Sequence, residues 1–79
     1  MSDLGNLQDS LHDLIGNASH AVATANGLLR YVSFYGEYGS STFVKNGKSI
    51  VASLQEYMAN AASDMTDVDA FFSRLEFGE

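Results

Sequence analysis

The chemistry available to this chain rests on few polar residues: His12 and His20, the aspartates Asp64, Asp67 and Asp69, and the tripeptide Gly47-Lys48-Ser49. Histidines that share a metal on one helix face usually stand four residues apart, which stacks both imidazoles over one point. These two stand eight apart and off the apolar stripes, so they read as exposed polar residues. The aspartates lack the ligand order and glycine of a Ca²⁺ loop and read as the solvated acids of a helix start. Gly47-Lys48-Ser49 has the ending of a phosphate loop. Its upstream glycine position holds Thr42, however, and no buried strand leads into it. No arrangement of Ser, His and acid for nucleophilic catalysis is legible. The expectation is a protein that is not an enzyme, with no catalytic residues, no metal and no cofactor.

Composition narrows the partners. A chain of 79 residues buries a modest core, and small domains usually lean on disulfides, metals or oligomerisation. There is no Cys, which removes disulfides and thiolate metal sites and leaves oligomerisation. Ten acidic against four basic residues give a net charge of −6, which disfavours nucleic acid and anionic lipid as partners. No apolar run approaches the ~20 residues that span a bilayer, so no membrane insertion is expected. The N-terminus lacks the charged-then-apolar layout of a signal peptide. The expected location is the cytoplasm, with any export by a route that needs no such signal.

The elements follow from periodicity. Leu4, Leu7, Leu11, Leu14, Ala18, Ala21, Ala25, Leu28, Val32 and Tyr35 recur in alternating steps of three and four, the template of a long amphipathic helix. A second stripe, Ile15, Val22 and Leu29, runs beside them at seven-residue intervals. Gly5, Gly16 and Gly27 each weaken that helix by roughly 1 kcal/mol relative to Ala. After Gly36-Glu37-Tyr38-Gly39-Ser40-Ser41, a turn composition, the pattern resumes at Phe43, Gly47, Ile50, Leu54, Tyr57, Ala61, Asp64, Val68, Phe71 and Leu75. Its neighbouring stripe is Val51, Met58, Met65 and Phe72. No Pro interrupts either half.

The expected fold is therefore all-α: one domain over 1–79, a long antiparallel helical hairpin. Its first helix covers about 3–35, its turn about 36–41 and its second helix about 42–77. Thr66 followed by Asp69 also has the form of a helix start, which places a break in the second helix near 64–66. Asn46-Gly47 and the aromatic and β-branched residues around it support an α+β alternative, with a small β-hairpin at about 31–45. In either case an isolated pair of helices has no third layer. Ile15, Val22, Leu29, Val51, Met58, Met65 and Phe72 are the expected partner interface, covered in a four-helix bundle.

A short chain of two long helices, a central turn, and the aromatic-x-Gly motif Phe34-Tyr35-Gly36 at the end of the first helix resembles the WXG-type small helical hairpins of type VII secretion systems. Phe34 stands where that family has Trp. Phe72 followed by Glu76 is similar to the family's second motif, an aromatic with an acid four residues later, though that motif begins with Tyr in the family. The resemblance covers the chain's whole layout. It extends to the small partners of the helical domains of LXG-type toxins, and it implies a targeting factor or chaperone. The protein would pair with itself or with a helical cargo and present Phe72 and Glu76 as an export signal. A competing reading starts from charge: an acidic inhibitor or anti-defence protein, of the kind phages encode, would set the patch Asp64, Asp67 and Asp69 against a basic nucleic-acid-binding surface.

Overall fold

A computed structural model describes residues 3–36 and 40–77, with side chains placed for 4–36 and 40–74. Two helices make up the fold, α1 (Asp3–Tyr35) and α2 (Ser41–Phe77). They pack antiparallel along their lengths into a rod of 60 × 16 × 15 Å. The radius of gyration is 17.8 Å, against about 12 Å for a compact domain of this length. No strand occurs among the described residues, so the β-hairpin alternative at 31–45 is overturned. Tyr31 and Tyr35 instead end α1, and Phe43 begins the buried face of α2; stacking of Tyr31 on Phe43, with ring centroids 5.2 Å apart, joins the helices at the turn.

The hydroxyl of Ser40 accepts a hydrogen bond from the Phe43 amide (3.0 Å), and the Ser40 carbonyl accepts one from the Val44 amide (3.2 Å). Ser40 is thus the N-cap of α2, and it satisfies a backbone donor that the helix itself leaves free. The expected break near 64–66 is absent, and α2 runs through. The Thr66 hydroxyl donates back to the Ala62 carbonyl (3.1 Å) rather than capping the backbone ahead of it, the arrangement of a Thr inside a helix.

The inward face of α2 is the expected one: Phe43, Gly47, Ile50, Leu54, Tyr57, Ala61, Asp64, Val68 and Phe71 are half-buried or buried. The inward face of α1 is rotated from the expected one. Leu7, Leu14, Ala21 and Leu28 face α2 as the stripe requires, but their companions are Ser10, Asn17, Thr24 and Tyr31, while Leu4, Leu11, Val32 and Tyr35 stay largely exposed. Of the alanines near mid-length, Ala21 and Ala61 point inward, whereas Ala18, Ala25, Ala59 and Ala62 are exposed. The physical reason lies on α2. Its seam carries Asp64, which needs a hydrogen-bond donor, and the rings of Tyr57 and Phe43, which are matched by His20 and Tyr31. A polar seam on one helix has drawn the more polar pair of stripes on the other.

The hairpin's own core is correspondingly thin. Among the described residues only Leu7 and Phe71 are buried, and no large side chain is fully enclosed.

Candidate docking face

The two helices expose different chemistry on the two broad sides of the rod. One side is polar. Near mid-length its groove is lined by His12, Asp13, Asn17, His20, Asn60, Ser63 and Asp64, and toward the open end by Asn6, Ser10, Asp67 and Arg74 beside Leu7 and Phe71. His20 stacks on Tyr57 (centroids 5.0 Å apart, 19° between planes), and the Arg74 guanidinium lies 5.7 Å from the centre of the Phe71 ring. The Asn17 side-chain amide donates to a carboxylate oxygen of Asp64 at 2.8 Å in a partly buried setting. His12 and His20 line the same groove, yet no group of three His, Cys, Asp or Glu able to hold a metal occurs among the described residues.

The other side is apolar. In an antiparallel pair of helices, the positions just after the inward-facing aromatic stripe of α2 and just after the Ser10–Tyr31 stripe of α1 lie on one common side. On α2 these are Val44, Val51, Met58, Met65 and Phe72, each seven residues from the next. On α1 they are Leu4, Leu11, Ala18, Ala25 and Val32, with Ile15, Val22 and Leu29 interleaved. From Leu11 to Val32 the α1 residues step by four and three without a gap, so α1 carries a second complete heptad seam on its outside. The large side chains of this face are exposed by between 37% (Leu11) and 65% (Leu29).

All seven residues expected at the partner interface lie on this face: Ile15, Val22, Leu29, Val51, Met58, Met65 and Phe72. Leu4, Leu11 and Val32, expected to face inward, also lie on this side, as does Val44, one heptad ahead of Val51. The signal for the rotation of α1 lay in Asp64: an acid on the α2 seam requires a donor opposite, and Asn17 is the α1 residue at that height.

Asp64 and Asp67, three residues apart on α2, share the polar side, and Asp69 does not join them. Asp64 is half-buried and engaged by Asn17, Asp67 lines the polar groove, and Asp69, two residues on and about 200° round the helix, is exposed elsewhere. Phe34 is 71% exposed and Tyr35 54% exposed; Gly36 has ordinary clearance from Val32 and Phe43, where an added Cβ would sit 3.7 and 3.8 Å away. Phe72 projects from the apolar face and touches Phe71 edge-on (centroids 5.9 Å apart). The side chain of Glu76 lies outside the described residues. No described helix is long and apolar enough to cross a membrane. Comparison with protein-family models, with curated proteins and with solved structures yields no match.

Proposed function

We propose that this chain is a non-enzymatic interaction protein, a helical hairpin whose apolar side seats a helical protein partner, and that it serves type VII-like protein export as a targeting factor or chaperone. The observation that carries the reading is the second heptad seam of α1, continued onto α2 by the stripe from Val44 to Phe72. Apolar surface of that extent on a rod with so thin a core marks an interface rather than scattered exposure. The export assignment draws its support from the resemblance of Phe34-Tyr35-Gly36, whose Phe34 ring is 71% exposed near the turn end, open to a transport component, beside Tyr35, which packs on Tyr31. Phe72 would serve the partner face, and Glu76 would complete the signal.

The test is export of the tagged protein from a cell with a type VII system. Export should depend on that system's ATPase and fall at least tenfold in Phe34→Ala and in Glu76→Ala. Substituting Asp67 and Asp69 together by Asn should leave export unchanged. Export independent of the ATPase would sink the assignment. Loss of function in the double aspartate variant alone would instead favour electrostatic blocking of a basic surface.

A further inference from the structure

Two glycines inside the helices directly follow an asparagine: Gly27 after Asn26 on α1, and Gly47 after Asn46 on α2. Packing requires neither, since a Cβ built on Gly27 or on Gly47 would meet nothing within 4 Å, and after Pro, Gly is the poorest residue for a helix interior. Both asparagines are exposed. What the two pairs share is a reaction. We infer that Asn26-Gly27 and Asn46-Gly47 are modification sites that the helices hold closed, and at which an opened chain loses ammonia and takes up water, so that time spent open is recorded irreversibly in the backbone.

The chemistry needs only water as co-reactant. The backbone nitrogen of the glycine gives up its proton to solvent and attacks the side-chain carbonyl carbon of the asparagine. The new C–N bond closes a five-membered succinimide, and the bond to the side-chain nitrogen breaks, releasing ammonia. Water then opens the ring at either carbonyl. The product is Asp, or isoaspartate, in which the chain continues through the side-chain carboxyl carbon. A Cβ on the following residue crowds the attacking nitrogen, so Asn6, Asn17 and Asn60, followed by Leu, Ala and Ala, are the slow internal controls.

The fold closes both sites. In an α-helix each amide donates to the carbonyl four residues back, which for Gly27 is that of Ala23 and for Gly47 that of Phe43. The proton that must leave is therefore engaged. A helical ψ of about −42° at the asparagine also holds the glycine nitrogen out of line with the carbon it must attack. Reaction waits on local opening, which is easiest at helix ends.

The two sites differ in that respect. Asn46 lies in the second turn of α2, held by the Ser40 cap and by the stacking of Tyr31 on Phe43, whereas Asn26 stands more than two turns inside the end of α1 at Tyr35. Asn46 is the faster site. Its Asp product is tolerated, because the dipole favours a carboxylate near a helix start. Its isoaspartate product is not, because the extra backbone methylene interrupts the ladder of hydrogen bonds where α2 begins to pack on α1.

The full chain, held at mildly alkaline pH with and without guanidinium chloride and read by mass spectrometry of its peptides, tests this. In denaturant Asn26 and Asn46 should react at similar rates and ahead of Asn6, Asn17 and Asn60, and Gly47→Ala should silence Asn46 alone. Without denaturant both sites should slow by roughly tenfold or more, Asn26 further than Asn46. Ser40→Ala, which removes the cap, should speed Asn46 about threefold to tenfold and leave Asn26 within about twofold. The fraction carrying isoaspartate at 46 should show weaker helical circular dichroism than the parent.

Equal rates with and without denaturant overturn the helices as the gate, and an unreactive pair in denaturant overturns that pair as a site. Native reaction faster at Asn26 than at Asn46, or Ser40→Ala speeding both alike, overturns the order of opening. An isoaspartate-46 chain that keeps the parent's helicity overturns the lasting effect on the fold.

Discussion

At the scale of single residues, one polar pair marks how α1 is rotated against α2. Among the described residues, Asn17 and Asp64 join the helices through a side-chain hydrogen bond. Removing either partner leaves the other half-buried without its bond, so Asn17→Ala should destabilise the fold by about 1–2 kcal/mol. The double variant Asn17→Ala, Asp64→Ala should lose less than the two single changes summed, as chemical denaturation of all four proteins of the cycle would reveal. Additive losses would mean the bond contributes nothing. This pair also explains where the sequence was misleading. Three apolar stripes per heptad on α1 leave two ways to choose the pair that faces α2, and hydrophobicity favours the wrong one. Had Asp64 been treated as a seam residue in need of a donor, Asn17 and with it the true rotation of α1 were legible.

At the scale of the elements, helix limits and the turn were readable because Gly36 to Ser41 breaks both periodicities at once. The absence of Pro removed the commonest cause of a break. The β-branched and aromatic run near the turn was ambiguous in isolation, and long-range stacking of Tyr31 on Phe43 settles it in favour of helix. The glycines of α1 leave a measurable signature. A Cβ at Gly16 or at Gly27 would meet nothing within 4 Å, so neither residue is required for close packing. Gly16→Ala and Gly27→Ala should each raise stability by about 0.5–1 kcal/mol, through helix propensity and the reduced freedom of the unfolded chain. Thermal unfolding at fixed concentration checks this. A loss at Gly27 would indicate that something approaches the polar side of α1 closely in the assembled protein, since the hairpin alone offers no obstacle.

For the whole molecule, the governing fact is a 60 Å rod in which, among the described residues, only two side chains are buried. A helical partner laid along the proposed apolar face would thicken such a rod without lengthening it. Small-angle scattering of that complex should therefore give a longest dimension near 60 Å, and a value approaching twice that would indicate end-to-end association. A partner filling the apolar face as proposed would supply the missing core and couple folding to association, so the unfolding temperature should rise with partner concentration. A concentration-independent midpoint over a hundredfold dilution would contradict that coupling. The same thin core has a consequence for the cell. With the apolar face filled as proposed, a chain below its partner's dissociation constant would stand open to proteases and one above it would be sheltered, so its lifetime would follow the partner's abundance. Copies made in excess of the partner would then be cleared without a dedicated regulator.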